Sequence, residues 1–300
     1  MSLRAEALRF ALRHLSKNSE DHRPDVAAIR QNLNAIRRFV PNPPKGTTAT
    51  RLIAGGVPAV RVTRPNSRPG RHILYLHGGG YNYGSPSLYR DFIWRIADVA
   101  EASVLCIDYR LAPEHPFPAA VDDAVAAYRW MLSDGAAPRR LAVMGDSAGG
   151  GLTFGALLRL RDDGDPLPAA AAALSPWTDL TLTSESVRRN VDADPMLSVN
   201  PARILADHYL ASADPRTPYA SPIFADPAGL PPSLIQVGGD EILLDDAVGM
   251  GERLRGAGCA AEVEVWPRMP HVWQLYARIL PEAKQAIAGI GRFLRAKLDG

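Results

Sequence analysis

The stretch LAVMGDSAGGGLTFGALLRL, residues 141–160, decides the fold. Leu141 to Met144 read as a short buried strand, and Gly145-Asp146-Ser147-Ala148-Gly149 follows with no linker. An apolar helical pattern begins directly after it. The pentapeptide has the form G-x-S-x-G, which sets a serine on a sharp strand-to-helix turn. Such a turn holds its central residue in a strained backbone conformation. Side chains at either flanking glycine would collide with the neighbouring elements. An incidental serine in a glycine-rich turn is the alternative; the strand before and the helix after favour the turn.

The same alternation extends along the chain. HILYL within 71–80, SVLCIDYR (103–110), AAAAALSPW (169–177), PSLIQVGG (232–239) and AEVEVWP (261–267) read as further strands. Helical patterns at 88–102, 121–135, 148–164, about 245–257 and 283–298 lie between and after them. Short apolar strands separated by helices indicate βαβ units and a parallel sheet covered on both faces. The pattern breaks between 178 and 215, which is polar and then helical with no strand. Residues 3 to about 40 are helical, with a break at Asp21-His22-Arg23-Pro24, and PNPPKG (41–46) ends them. The expected organisation is an N-terminal helical part (1–45), an α/β core (46–177 and 211–300) and an inserted segment (178–210). The first and last of these together would lid the strand ends.

His77-Gly78-Gly79-Gly80 follows the strand HILYL. Three glycines let backbone N–H groups approach a bound oxygen where a Cβ would block them. A developing negative oxygen needs such donors in place before reaction. Gly79, Gly80 and Ala148, the residue after the serine, are the candidate donors, and His77 reads as a residue that holds the loop. A serine hydroxyl needs a base to take its proton. Of the two histidines after Ser147, His208 lies within the helical pattern of the insertion. His271 lies in a proline-bounded loop just past the strand AEVEVW. Loops at the carboxyl ends of parallel strands are where such sites are built, so His271 is the candidate base. The acid that orients it is expected between serine and histidine in chain order. Asp240, directly after LIQVGG, is the choice. Glu241, Asp245 and Asp246 are rivals, the last two suited to the first turn of the next helix.

The motifs HGGGY (77–81), DYRLAPEHPFPAA (108–120), GDSAGGG (145–151), SPW (175–177), DADPML (192–197), GGDEILLDD (238–246) and MPHVW (269–273) make the chain resemble the bacterial hormone-sensitive lipase family of α/β-hydrolase esterases. The resemblance spans 73–275. It implies an eight-stranded, mostly parallel sheet flanked by helices, with a helical cap from the N-terminus and the insertion. It also implies carboxylesterase activity on short acyl esters through a Ser-His-Asp triad, with no cofactor and no metal. Further, it suggests cis peptides before Pro113 and Pro118. Tyr81 stands where Phe or Trp is also usual, and Val272-Trp273 replace Gly-Phe; both bear on pocket shape. Tyr81, Trp177, Val272 and Trp273 are candidate pocket residues, each also able to serve as core. A receptor that has lost its catalytic histidine, a peptidase and a long-chain lipase are other uses of this fold. The retained histidine, the absence of a peptide-recognition feature and the mixed polarity of 178–210 count against them in turn.

Composition is that of an ordinary globular chain: 300 residues, 46% hydrophobic, 22% charged and a net charge of +2 with the signs interspersed. No nucleic-acid groove and no stable membrane association are expected from this. Cys106 and Cys259 are too few for a disulfide framework or a cysteine zinc site, which points to a reducing, cytoplasmic compartment. The Arg-rich N-terminus carries Glu6 and spaces Leu8, Leu12 and Leu15 as a surface helix rather than a transit peptide. The last strand, AEVEVWP, could leave a sheet edge open, and a two-fold homodimer through it is an expectation.

Overall fold

A computed structural model describes residues 2–15, 17, 19 and 21–299. The chain forms an eight-stranded sheet in the order β1-β2-β4-β3-β5-β6-β7-β8. The strands are β1 (Thr48–Ala54), β2 (Val57–Thr63), β3 (His72–Leu76), β4 (Ser103–Ile107), β5 (Leu141–Asp146), β6 (Ala170–Leu174), β7 (Ser233–Gly238) and β8 (Ala261–Trp266). From β3 to β8 every pairing is parallel, whereas β2 runs antiparallel to both β1 and β4.

The six strands read from the apolar runs are present. The hairpin β1–β2 was not among them. Its signal is the Gly55-Gly56 turn between two β-rich runs. β1 is an edge strand and mostly exposed, so no buried apolar run marks it.

The central strands are apolar on both faces because helices cover both. Along β3, Ile73 and Tyr75 pack into one layer and Leu74 and Leu76 into the other, as the two-residue period requires. Helices α3 (Arg90–Ala100) and α9 (Pro281–Leu298) close the first layer. Helices α4 (Ala119–Ser133), α5 (Ala148–Asp162) and α8 (Leu244–Gly256) close the second. Both Ala112–Pro113 and Phe117–Pro118 are cis.

The remaining helices contact loops at the carboxyl ends of the strands. They are α1 (Leu3–Leu15) and α2 (Val26–Ile36) at the N-terminus, and α6 (Glu185–Arg189) and α7 (Val199–Leu210) in the segment after β6. In α1, Arg9 pairs with Asp240 at 2.7 Å and donates to the Arg268 carbonyl. Arg13 and Lys17 donate to backbone carbonyls of 191–194. In α2, capped by the Asp25 carboxylate on the Ala28 N–H, Arg30 reaches the carbonyls of Asn82 and Ala112. Asn82 itself donates to the Leu205 carbonyl of α7 and bonds to His208. Both helical parts are thus stitched to the loops that carry the motifs.

Candidate active site

Ser147 sits between β5 and α5 at φ 53° and ψ −123°, a conformation few side-chain-bearing residues adopt. The flanking glycines make it feasible. A Cβ at Gly145 would lie 2.3 Å from the Gly149 carbonyl oxygen, and one at Gly149 would lie 2.0 Å from that of Leu76. Beneath the turn, the buried Asp146 carboxyl accepts from Tyr75 and Tyr89 hydroxyls at 2.6 and 2.7 Å and from the Gly78 N–H at 3.0 Å. Burial pushes the Asp146 carboxyl above the usual range, and the two tyrosine hydrogen bonds pull against that. These bonds tie the serine turn to the glycine loop after β3.

In that loop Gly79 adopts φ 125°, and a Cβ there would fall 1.9 Å from the Tyr83 carbonyl oxygen. Ala148 is the first residue of α5, so its N–H lies at the positive end of that helix. His77 is buried, stacks on Tyr109 at 4.4 Å, and bonds through Nδ1 to the Gly78 carbonyl. Burial pushes its pKa down to about 4, so it is neutral at pH 7 and serves the loop.

Ser147 Oγ lies 2.8 Å from His271 Nε2. On the far side of the imidazole, His271 Nδ1 lies 2.7 Å from Glu241 Oε2. Glu241 is fully buried and His271 nearly so. A carboxylate only accepts, so Nδ1 carries the proton and Nε2 is free to accept from the serine. Burial alone would lower the His271 pKa. The charge of Glu241 and its hydrogen bond, with smaller contributions from Asp194 and Asp146, outweigh that and raise it above the ordinary value of 6.5.

The carboxylate facing His271 is therefore Glu241, where the sequence reading placed Asp240. β7 ends at Gly238, and the turn that follows sends consecutive side chains in different directions. Asp240 turns out to the Arg9 guanidinium of α1, and Glu241 turns back under the sheet ends. The extra methylene lets Glu241 also receive the Gly238 N–H at 2.6 Å and the Ser175 hydroxyl at 2.7 Å on Oε1. The other rivals have separate tasks. Asp245 accepts the Ser186 N–H, and Asp246 accepts the N–H groups of Thr178 and Asp179.

The supporting residues escaped the sequence reading. Asn190 donates to the Glu241 carbonyl at 2.8 Å, and the buried Asp194 accepts the Ile242 N–H at 3.0 Å. Both come from the segment after β6; Asp194 lies in the motif DADPML, and Asn190 lies just before it, outside any motif. Among the candidate pocket residues, Tyr81 stacks face to face on Tyr209 of α7 at 3.8 Å. Trp177 donates to the Asp179 carbonyl, and Val272 follows His271 at φ 48°. Trp273 is fully buried against Trp266 in the layer of α3 and α9, a core position. Among the described residues no group of three or more His, Cys, Asp or Glu could hold a metal ion.

Comparison with known proteins places the fold in a family. Residues 73–275 match a family described as the alpha/beta hydrolase fold. An acetyl-hydrolase of Streptomyces hygroscopicus is 49% identical over 232 residues, covering 77% of this chain and 78% of its own. The putative acetyl-hydrolase LipR of Mycobacterium tuberculosis is 35% identical over 302 residues, covering 99% and 96%. The crystal structure of an esterase of the bacterial hormone-sensitive lipase family superposes with a TM-score of 0.93 at 45% identity over 99% of both chains. That of EstE5, soaked with p-nitrophenyl butyrate, superposes with 0.95 at 40% identity over the whole of both. The chain belongs to the α/β-hydrolase family, within its bacterial hormone-sensitive lipase branch of carboxylic ester hydrolases.

Proposed function

We propose that the chain is a serine carboxylesterase for short-chain acyl esters, acting through Ser147, His271 and Glu241. The observation that carries this reading is the unbroken relay from Glu241 Oε2 to His271 at 2.7 Å and from His271 to Ser147 Oγ at 2.8 Å. Ser147 Oγ attacks the ester carbonyl carbon, and its proton passes to His271 Nε2. Glu241 stabilises the imidazolium that forms. The N–H groups of Gly79, Gly80 and Ala148 receive the oxyanion. Collapse of the tetrahedral species breaks the bond to the alcohol, which leaves with the proton from Nε2. Water then attacks the acyl-serine by the same route and releases the acid.

In this reading residues 1–45 and 178–210 form the cap, and Tyr81 and Val272 flank the acyl site. The short-chain preference draws support from the acetyl-hydrolases among the relatives. A homodimer through the edge strand β8 and a cytoplasmic location, in keeping with the free thiols of Cys106 and Cys259, complete the proposal. No described helix is long and apolar enough to cross a membrane. Hydrolysis of p-nitrophenyl esters from acetate to palmitate tests the central part. Turnover peaking at short chains and lost in Ser147→Ala is expected. Turnover retained in that variant, or a peak at palmitate, overturns it.

A further inference from the structure

Ser175-Pro176-Trp177 takes no step in the chemistry above, yet it bonds to Ser147, to Glu241 and to Val272 beside His271. The Leu174 carbonyl accepts the Ser147 N–H at 2.8 Å, and the Trp177 N–H donates to the Ser147 carbonyl at 3.0 Å. Between these two clamps lies Ser175, fully buried and at φ 45°. Its hydroxyl donates to Glu241 Oε1 at 2.7 Å and accepts the Val272 N–H, beside His271, at 3.2 Å. Its own N–H is held by the Gln236 carbonyl of β7.

The direction of these bonds is fixed. A carboxylate can only accept and a backbone N–H can only donate, so the single hydroxyl proton points at Glu241. One side chain thereby spans the acid loop and the histidine loop, and its backbone neighbours hold the serine. The left-handed φ also matters. Glycine would fit there without strain, yet a serine occupies the position, so the hydroxyl has a task that the strain does not outweigh.

We propose that Ser175 is a positioning residue for hydrolysis, holding Glu241 and His271 in register so that Nε2 meets Ser147 Oγ. The proposal rests on the Ser147–His271–Glu241 reading. Without the hydroxyl, Glu241 Oε1 keeps only the Gly238 N–H, and Val272 loses its partner. The carboxylate and imidazole then sample geometries in which the proton relay is broken, while the surface that binds substrate is unchanged.

The test measures kcat and KM for p-nitrophenyl butyrate in Ser175→Gly and Ser175→Ala, each made in the wild-type and the Glu241→Gln backgrounds. Glycine accepts φ 45° and removes the hydroxyl alone; alanine keeps the Cβ. Loss of a hydrogen bond to a charged group corresponds to a fall in kcat of about tenfold to a hundredfold. KM should change by less than about twofold. Because Ser175 acts through Glu241, the further loss in the Glu241→Gln background should vanish. Full kcat in Ser175→Gly, a loss carried by KM, or equal losses in both backgrounds overturns the proposal. Ser147→Ala, run alongside, separates the two readings: turnover retained there removes the relay itself, whereas its loss with Ser175→Gly fully active removes only Ser175.

Discussion

Glu241→Gln is the substitution whose outcome the site geometry constrains most tightly. The side chain keeps its length and shape, so the fold around it should persist. In the wild type Oε1 receives two donors, the Ser175 hydroxyl and the Gly238 N–H. An amide nitrogen cannot accept either, so the amide oxygen must occupy that position and the NH2 must face His271 Nδ1. Nδ1 then has to be the acceptor, and the imidazole proton moves to Nε2, against Ser147 Oγ. The histidine is left in the tautomer that cannot take the serine proton. The loss of the Glu241 charge also removes what stabilises the imidazolium in this buried site. The expected fall in kcat is roughly a thousand- to ten-thousandfold, as for neutralising the acid of comparable triads. Asp240→Asn removes only a partly buried pair with Arg9 and should lower kcat by less than about tenfold. Both are read from steady-state hydrolysis of p-nitrophenyl butyrate with circular dichroism as a fold check. Equal losses in the two variants, or a Glu241→Gln enzyme within about tenfold of wild type, would refute the reasoning.

Three other perturbations have defined outcomes. The value of kcat/KM should fall as the pH drops, because the base must be neutral and the His271 pKa is raised. The midpoint of this acid limb should lie above 6.5, and a midpoint well below that value contradicts the electrostatics of the site. Gly79→Ala puts a methyl group onto the Tyr83 carbonyl at a backbone angle that disfavours any side chain. It should cost at least about a hundredfold in kcat, the scale of losing an oxyanion donor, and wild-type kcat would remove Gly79 from the hole. Arg9→Ala unpairs Asp240 and frees the Arg268 carbonyl. Thermal denaturation should show a loss of about 1–2 kcal/mol, or a few degrees in Tm, and an unchanged Tm would mean that α1 is not held through this contact.

Much of this site is legible in the residues because close backbone packing demands glycine. Gly145, Gly149 and Gly79 each stand where a Cβ would strike a carbonyl, so the turns that carry Ser147 and the proposed oxyanion donors leave a fixed sequence trace. Chain order and the prolines that bound its loop pointed to His271, which lies 2.8 Å from Ser147 Oγ. The acid was not so marked. Asp240 and Glu241 are adjacent carboxyls in one turn that sends them in different directions, and the partner of Asp240, Arg9, lies some 230 residues earlier. Spacing carries no information about such a distant partner. The hairpin β1–β2 is hidden for a different reason: exposure of β1 removes the apolar run that marks a buried strand. Asn190, Asp194 and Ser175 hydrogen-bond to loops remote in sequence. Polar residues in such roles look like any surface polar residue until the chain is folded.

The central claim is that Ser147 carries the acyl group. Acid quenching during steady-state turnover of p-nitrophenyl acetate, followed by tryptic digestion and mass spectrometry, tests it most directly. An acetyl group on the peptide from Leu141 to Arg159, located at Ser147 and absent from Ser147→Ala and from quenched enzyme without substrate, is the expected result. Acetylation at another residue, with Ser147→Ala still turning over, would contradict the assignment of the nucleophile and with it the whole relay.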